Sequence, residues 1–574
     1  MHESIPLFLT SILCSFNFNS ISAFSLNSSN HHVLRSDLRS GLPYSHSLSR
    51  SPASAFNTKL YMAKEEDLPT IVRNLNDAIL KCQPEFIKTC KVKVDFDTDV
   101  NTNRLRLIAT KSIKKGDVAL AMPNDEQIIL TPELARKNVY QNILPAKYDS
   151  WTGDNGMLAL LLLNELAKGA SKGTKGINKP IRKIEAANLI EAWIAALPSY
   201  NEMKDKNMHP YLWNEDDQEI LQSSSTKKIY KLLDDMEDDV TWLEEQIFSK
   251  DREKFPQEVQ LNGETHPCFN ADGFAWAMAI VVSRSVYVDG SSRIIPIMDM
   301  ANHDDFGVQE IQEGFMGTFG TTKGVVVKAG STKNYETGQE VFVSYGPKSA
   351  AEYLLEHGFL PKASRSLQTS VGEITFEIDQ DDRFYDDKLD ILEFDTYDNA
   401  PMEPVQSFDA VSELGRDGEP DPAMIQFLRL LKMNGKDAFL LESIFRKEVW
   451  EFMSMPVSEQ NERDVLNAVA DACTKGLVGM QEIESSVDDD LSSPAELCST
   501  VRASETKALS RTLEYVNREK EALDLKEYYQ ERRLKDLNLN SDWNPDEGPA
   551  RGDVYDEDDI SFGQARAPGS SLDW

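Results

Sequence analysis

Two short segments, about forty residues apart, carry the side chains of this chain that are best suited to chemistry. The first, Ile294–His303, ends in Asn302-His303, and the second, Gly338–Gly346, ends in Ser344-Tyr345-Gly346. A phenol with a pKa of ~10 is a poor general base at neutral pH, so Tyr345 is better suited to orienting a substrate and stabilising charge. A packed strand tyrosine and an ordinary turn, capped by Asp299, are the structural alternatives. Neither segment alone predicts a function.

Together and in this order, the two segments resemble the catalytic half of a SET-domain methyltransferase. The resemblance is to the branch that includes the plant Rubisco large-subunit lysine methyltransferase, and it continues through Lys348 and Glu352 to Glu356–Phe359. It implies an S-adenosylmethionine-dependent protein-lysine N-methyltransferase that acts on a non-histone protein. Rubisco large subunit and plastid aldolase are the substrates that the family suggests, and nothing in the sequence selects either.

The resemblance also implies roles for individual residues. Tyr345 matches the catalytic tyrosine, whose hydroxyl faces the reacting centre. Arg284 stands where the family has an arginine directed at the cofactor carboxylate, which suits a bidentate guanidinium; a surface salt bridge is the alternative. The cofactor-binding residues that the resemblance implies are Leu105, Arg284, Asp299, Asn302 and His303.

Two departures from the family pattern leave parts of this interpretation open. Arg104 and Arg106 flank Leu105 where the family has Gly-x-Gly, whose missing side chains let the backbone approach the cofactor. These arginines either weaken cofactor binding or contact the cofactor themselves, and Leu105 is expected near it through its backbone. His357 stands where the family often has a second tyrosine that shapes the substrate channel. Ser283 and His357 are the predicted channel residues, and a packed role is an equal alternative for His357.

The same departures keep two rival functions open. A catalytically silent SET-like module would bind a partner protein without binding the cofactor. A protein-histidine methyltransferase would keep the cofactor and change the acceptor, since a family relative that methylates a histidine of actin also lacks the second tyrosine. The number of methyl groups transferred is undecided for the same reason.

The composition limits the partners that the chain can have. Its 574 residues carry 95 acidic and 61 basic side chains, a net charge of −34, which argues against nucleic acid because phosphate binding needs clustered Lys and Arg. A protein substrate is the predicted partner, and we expect a monomer that binds neither nucleic acid nor, in its mature form, a membrane. The six cysteines are scattered without a Cys-x-x-Cys pair, which predicts no structural metal.

The N-terminal 63 residues differ from the rest of the chain in charge. They hold two acidic and four basic side chains, whereas the remainder has a net charge of −36. Residues 1–23 are predicted to be a signal peptide with an apolar core too short to span a membrane, and residues 24–63 are typical of a transit peptide. The tandem resembles the bipartite plastid presequence of algae with secondary plastids, in which a Phe such as Phe24 follows the cleavage site. It predicts the chloroplast stroma; a secretory signal is the alternative.

The elements that would position these residues predict an α+β protein. Apolar and β-branched runs predict strands over 92–96, 105–109, 118–123, 325–328, 341–345 and 369–378. Asp272 is the predicted N-cap of a helix that reaches Ser283. Helical periodicity in the C-terminal half predicts helices over 424–433, 437–453, 459–476 and about 500–535. The predicted domains are a SET domain over 90–361 with a helical insert at about 150–270, a helical substrate-binding domain over 362–540, and a disordered tail over 541–574.

Overall fold

The computed structural model describes most of the chain beyond the predicted presequence. The described residues are 68–97, 105–141, 143–145, 150–170, 182–223, 225–288, 290–304, 310–316, 322–328, 334–346, 348–361, 369–393, 402–413, 415–445, 449–486, 493–529 and 532. The predicted presequence, the predicted acidic tail and Arg104 lie outside these residues.

The described strands are short and are distributed along the chain from residue 92 to residue 417. They are β1 (Val92–Phe96), β2 (Leu105–Ala109), β3 (Val118–Pro123), β4 (Glu258–Leu261), β5 (Glu264–Pro267), β6 (Val286–Val288), β7 (Ser291–Arg293), β8 (Glu310–Met316), β9 (Thr322–Lys328), β10 (Ser370–Glu377), β11 (Val405–Glu413) and β12 (Arg416–Asp417). The predictions for β1, β2 and β3 are confirmed at both ends, because each is a compact run of alternating or continuous apolar residues.

The strands pair in small antiparallel sheets. β1 pairs with β2, so that Val92 lies opposite Ala109, and β9 lies between β3 and β8. β4 pairs with β5 and β6 with β7, while β10, β11 and β12 form a separate sheet in the C-terminal half. The C-terminal β11 falls in an acidic stretch for which no strand was predicted.

Helices fill the intervals between these sheets. The α-helices are α1 (Leu68–Cys82), α2 (Phe86–Thr89), α3 (Pro132–Leu134), α4 (Gly153–Ala170), α5 (Ile184–Ala196), α6 (Tyr200–Asp205), α7 (Glu215–Glu219), α8 (Lys228–Gln246), α9 (Ala271–Arg284), α10 (Ala350–Glu352), α11 (Tyr385–Leu392), α12 (Pro422–Leu431), α13 (Val449–Met453), α14 (Glu459–Ser486) and α15 (Ser493–Glu521). The α+β prediction is confirmed. Within the described ranges, no helix is long and apolar enough to cross a membrane.

Two hydrophobic cores share helix α15. Cys498 and Val501, near its start, belong to the core built from the strands β1–β3 and the helices α4 and α9. Leu509 and Val516, further along, belong to the core of the C-terminal half. Because one continuous helix contributes to both cores, it fixes the helical C-terminal half against the half that carries the candidate site. The predicted domain boundaries remain predictions.

Three local predictions are wrong. Helix α9 is capped by Asn270, whose Oδ1 accepts a hydrogen bond from Gly273 N at 2.8 Å, and not by Asp272, which instead accepts one from Tyr200 Oη. Residues 341–345 do not form a strand, since their backbone pairs at single residues only. The predicted helix over 437–453 breaks into two 3-10 turns before α13.

Candidate active site

A backbone contact brings the two sequence segments together. His303 and Val343 form an isolated parallel bridge, in which Val343 N donates to the carbonyl of Asn302 at 2.9 Å and Asp304 N donates to the carbonyl of Val343 at 3.1 Å. Tyr345 lies two residues after Val343 on the same stretch of backbone. The bridge therefore places the Asn302-His303 pair directly beside the candidate catalytic tyrosine.

His303 connects the two segments through both nitrogens of its ring. Tyr345 N donates to Nδ1 at 3.2 Å, so in the neutral ring the proton lies on Nε2. Nε2 lies 3.0 Å from Tyr353 Oη, whose hydroxyl in turn donates to the carbonyl of Gly346 at 3.1 Å. These bonds tie His303 to the backbone of two consecutive residues, Tyr345 and Gly346.

The side chain of Tyr345 is half-buried in a cluster of rings. Its hydroxyl donates to the carbonyl of Ala301 at 3.0 Å. Its ring centroid lies 4.6 Å from that of His357, 5.1 Å from that of His303 and 6.4 Å from that of Phe359. These contacts fix the direction of the phenol and cover part of its ring.

Asn302 joins this region to strand β2. Its amide nitrogen donates to the carbonyl of Leu105 at 3.0 Å and to Glu340 Oε1 at 2.8 Å. The same edge of strand β2 is held two residues further on, because Val341 N donates to the carbonyl of Leu107. The structure therefore brings the predicted cofactor residues Leu105 and Asn302 into direct contact.

Arg284 and Asp299 form an ion pair at the end of helix α9. Arg284 Nη1 lies 3.2 Å from Asp299 Oδ2 and 3.1 Å from the carbonyl of Asp299, and Trp193 Nε1 donates to the same Oδ2 at 3.0 Å. Burial raises the pKa of Asp299, and Arg284 opposes that shift. Asp299 Oδ1 is buried and makes no hydrogen bond within the described part of the chain.

The backbone that carries Asp299 is strained. Ile297 has a φ of 76°, which is unfavourable for a β-branched residue, and its side chain is fully buried. The 3-10 turn Met298–Met300 follows at once. Burial of Ile297 in the core holds the strained turn and so sets the position of the residues from Asp299 to His303.

Arg284 was predicted to pair with a cofactor carboxylate, and in this structure it pairs with Asp299. The contact uses Nη1 alone, because Nε and Nη2 make no hydrogen bond to the described residues. The side chain of Arg284 is 21% exposed. One side of the guanidinium fork therefore remains available for a second carboxylate, and the prediction stays a prediction.

Of the two arginines that flank Leu105, the structure describes Arg106. Arg106 points to Asp97, with Nη1 3.7 Å from Oδ1, and the two residues lie near the paired ends of β1 and β2. Leu105 is half-buried, and its carbonyl is the acceptor for Asn302. Contact between Arg106 and a cofactor therefore remains a prediction.

Ser283 and His357 are the two predicted channel residues. The side chain of His357 lies beside Tyr345, whereas Ser283 contacts His357 with its backbone carbonyl only. His357 Nδ1 lies 3.3 Å from the carbonyl of Ser283, whereas Ser283 Oγ donates back to the carbonyl of Ala279 within its own helix. Burial and the charge of Lys348 lower the pKa of His357 to about 3.

Gly358 follows His357 in a left-handed conformation, with a φ of 73°. It packs so closely that a Cβ at this position would lie 1.9 Å from the carbonyl oxygen of Met208.

Several residues of the site were not predicted from the sequence. Tyr353 and Phe359 lie inside the second segment or its continuation, and their aromatic character was the available signal. Trp193 and Glu340 act as hydrogen-bond partners of predicted residues, and Trp193 is over a hundred residues from its partner Asp299. Among the described residues, no group of three or more His, Cys, Asp or Glu side chains could hold a metal ion.

Comparison with known proteins adds three relationships. A family model described as Rubisco LSMT substrate-binding matches residues 379–523. Over 451 residues the chain is 28% identical to the chloroplastic ribulose-1,5 bisphosphate carboxylase/oxygenase large subunit N-methyltransferase of Nicotiana tabacum, covering 76% of this chain and 80% of that protein. Over 314 residues it is 32% identical to the chloroplastic [fructose-bisphosphate aldolase]-lysine N-methyltransferase of Arabidopsis thaliana, covering 53% of this chain and 60% of that protein.

A solved structure shares the fold. The crystal structure of the SET domain of LSMT bound to lysine and AdoHcy superposes with a TM-score of 0.62 at 25% identity, covering 83% of this chain and 98% of that chain. The chain therefore shares the fold of this SET-domain structure. It is similar to the tobacco N-methyltransferase over three quarters of its length, and residues 379–523 match the Rubisco LSMT substrate-binding model.

Proposed function

We propose that this chain is an S-adenosylmethionine-dependent protein-lysine N-methyltransferase that acts on a non-histone protein. The observation that carries the proposal is the setting of Tyr345, whose hydroxyl is held by the Ala301 carbonyl while its ring packs against His303 and His357. Methyl transfer depends mainly on positioning, and this setting fixes one polar group inside a largely enclosed cluster. The names of the tobacco and Arabidopsis relatives, both N-methyltransferases, support the reaction.

The residues around Arg284 fit the proposed cofactor. The free side of its guanidinium suits the amino-acid carboxylate of S-adenosylmethionine. Asn302, His303 and the backbone of Leu105 would hold the rest, since Asn302 is bonded to Leu105 and His303 to the backbone of Tyr345. When bound, the cofactor supplies a methyl group on a positively charged sulfur.

The chain's own groups prepare the acceptor amine. A lysine amine must be neutral to accept the methyl group, and both loss of water and a nearby positive charge lower its pKa. The rings of Tyr353, His357 and Phe359, which lie about 6 Å from one another beside Tyr345, would limit the access of water to the amine. The hydroxyl of Tyr345 orients the amine in that enclosure and stabilises the charge that develops.

Further parts of the proposal concern the whole chain. A SET domain over 90–361, with its helical insert at about 150–270, would carry the chemistry, and residues 362–540 would bind the substrate protein. Residues 1–23 and 24–63 would act as a bipartite presequence that directs the protein to the chloroplast stroma, which agrees with the chloroplastic names of the relatives. The mature protein would be a monomer that binds neither nucleic acid nor membrane.

The proposed substrates are Rubisco large subunit and plastid aldolase. The relatives named for these two substrates support both. The net charge of −34 favours a substrate that presents basic side chains around its target lysine.

The proposal is tested with the purified full chain, tritiated S-adenosylmethionine and a stromal extract from cells that lack the protein, so that target sites start unmethylated. The labelled band is excised, hydrolysed and separated by chromatography. We expect methyllysine in a band of the size of Rubisco large subunit or aldolase. Methylhistidine would replace the lysine proposal by the histidine alternative, and an unlabelled extract would favour the silent binding module.

A further inference from the structure

Tyr353 is a fully buried tyrosine whose hydroxyl has no part in the function proposed above. It begins the π-helical turn Tyr353–His357, which directly follows helix α10. The start of α10 is fixed by a capping box, in which Ser349 Oγ accepts from Glu352 N at 3.2 Å and Glu352 Oε2 accepts from Ser349 N at 2.7 Å. The hydroxyl of Tyr353 is therefore carried by a rigid element of the fold.

Two contacts fix the direction of the hydrogen bonds at this hydroxyl. The carbonyl of Gly346, 3.1 Å away, can only accept, so the phenolic proton of Tyr353 is directed at it. His303 Nε2 lies 3.0 Å from the same oxygen and faces its lone pairs, so Nε2 must donate. From the side of Tyr353, the imidazole of His303 therefore carries its proton on Nε2.

The other side of the imidazole requires the same tautomer. Tyr345 N lies 3.2 Å from His303 Nδ1, and a backbone N–H can only donate. Nδ1 must accept, which in a neutral imidazole leaves the proton on Nε2. One directed chain of hydrogen bonds therefore runs from Tyr345 N–H through His303 and Tyr353 to the carbonyl of Gly346.

Both ends of this chain lie on consecutive residues of the segment that carries the candidate catalytic phenol. Gly346 has a φ of 92°, a conformation that glycine leaves at low cost because it has no Cβ. The chain holds the peptide groups on either side of this flexible position. The phenol of Tyr345 is held separately, since its hydroxyl donates to the carbonyl of Ala301 at 3.0 Å. Different groups thus fix the backbone and the hydroxyl of Tyr345.

We propose that Tyr353 is a positioning residue for methyl transfer, whose hydroxyl fixes the Nε2–H tautomer of His303 and with it the backbone that carries Tyr345. The inference rests on the proposed function and adds a residue to the machinery that the function requires. Tyr353 acts through His303 and Gly346, so it is not a catalytic residue. Its role is the same whether the acceptor of the methyl group is a lysine or a histidine.

Tyr353→Phe keeps the ring and its packing and removes only the hydroxyl. The hydrogen bond from Val343 N to the carbonyl of Asn302 does not involve Tyr353, so the cofactor region should keep its place. We expect kcat to fall about tenfold, while the affinity for S-adenosylhomocysteine stays within about twofold of the native value. The rates are measured on bacterially produced Rubisco large subunit and aldolase.

Tyr140→Phe is the matched control. It removes an equally buried hydroxyl from the same hydrophobic core, where Tyr140 Oη donates to the carbonyl of Leu160 at 2.8 Å. Thermal melting shows whether both variants are folded, and the control should keep the native kcat. A native kcat in Tyr353→Phe, or equal losses in the two variants, would overturn the inference.

A double-mutant cycle establishes whether Tyr353 acts through His303. In His303→Asn, the amide oxygen can still accept from Tyr345 N, but the side chain is too short to donate to Tyr353. In this background Tyr353→Phe should lower kcat by less than about threefold, since the partner on which it acts is already lost. A full tenfold loss in both backgrounds would show that Tyr353 acts independently of His303.

The tautomer of His303 can be measured without any substrate. The full chain contains eight histidines, and with ¹⁵N in their rings the NMR signal of His303 is the one that disappears in His303→Asn. We expect a proton on Nε2 alone in the native chain, and a share of rings with the proton on Nδ1 in Tyr353→Phe. A native ring protonated on Nδ1, or an unchanged ring in Tyr353→Phe, would refute the inference. Where neither substrate protein is methylated, the proposed substrates fail and this measurement still decides the role of Tyr353.

Discussion

Asn302 and Leu105, nearly two hundred residues apart in the sequence, are joined by a hydrogen bond of 3.0 Å from the amide nitrogen to the carbonyl oxygen. The same nitrogen donates to Glu340 Oε1 at 2.8 Å. One side chain thus links strand β2, the Asn302-His303 pair and the segment that leads to Tyr345. Its two donors are used on two acceptors, so no smaller or purely accepting residue can replace it.

Asn302→Ala should therefore lower both the stability of the protein and its affinity for the proposed cofactor. Loss of both hydrogen bonds leaves the Leu105 carbonyl and the Glu340 carboxylate without this donor, which should lower the free energy of unfolding by about 1–3 kcal/mol. Binding of S-adenosylhomocysteine should weaken as well, because Leu105 and His303 lose their common anchor. Urea unfolding and calorimetry measure the two effects. Asn302→Asp, matched in size but without the donor, should bind no better than Asn302→Ala; native-like binding by either variant would contradict the proposed role.

His209 should make the stability of the protein depend on pH. Burial lowers the pKa of His209 to about 4, and its Nδ1 accepts a hydrogen bond from Tyr211 N while Nε2 lies 3.2 Å from the carbonyl of Glu356. Because the folded-state pKa lies below the unfolded value of about 6.5, the stabilisation is fully present above pH 6.5 and is lost as the pH falls towards 4. The loss attributable to His209 should be roughly 3 kcal/mol over this interval.

The comparison that isolates this effect is between the native chain and His209→Gln, whose amide can donate and accept at the same place without titrating. Urea unfolding at several pH values between 4 and 7 gives the two curves. Their difference should widen as the pH falls through 6.5, with the native chain losing more stability. Parallel curves would show that His209 does not titrate in this way.

Glu505 should hold the C-terminal helix α15 against the half that carries the site. Its carboxylate, in a side chain that is 1% exposed, accepts from Ser223 Oγ at 2.7 Å and from Ser225 N at 3.2 Å. Glu505→Ala removes the oxygen, Oε1, that accepts both bonds and should lower the free energy of unfolding by about 1–3 kcal/mol, whereas Glu505→Gln keeps an acceptor and should cost less.

Glu514→Ala provides the control on the same helix. Glu514 is 66% exposed and pairs with Arg511 on the surface, so its removal should change stability by less than about 0.5 kcal/mol. Denaturant unfolding compares all three variants. Equal losses for Glu505→Ala and Glu514→Ala would contradict a special role for the buried carboxylate.

The sequence predicts the local parts of this fold better than its long-range contacts. The strands β1 to β3 could be predicted with their bounds because each is a compact apolar run between turn residues. Residues 341–345 have the same character but no continuous partner, since their contacts with Leu107 and His303 depend on the assembled fold. The N-cap of α9 was misplaced by two residues because Asn270 and Asp272 are both suitable caps.

The same distinction applies to the candidate site. That Tyr345 and His303 belong to one site could be predicted because the two segments, in this order, resemble those of a known family. The partner of Asp299 could not, because Trp193 lies on helix α5, far away in the sequence, and its indole gives no local signal. The pairing of Arg284 with Asp299 was likewise absent from the prediction, since a sequence motif does not show which of two carboxylates an arginine contacts.

The central proposal is that Tyr345 orients the acceptor amine, and Tyr345→Phe tests it most directly. Removal of one oriented hydroxyl at a transfer site should lower kcat on the order of 10²–10³-fold, while binding of S-adenosylhomocysteine stays native because the ring and its contacts with His303 remain. Transfer of tritium from S-adenosylmethionine to stromal protein from cells lacking the enzyme gives the rate, and Tyr287→Phe is the exposed control. A labelled band that disappears only in Tyr345→Phe is the predicted result; undiminished labelling by Tyr345→Phe would contradict the account.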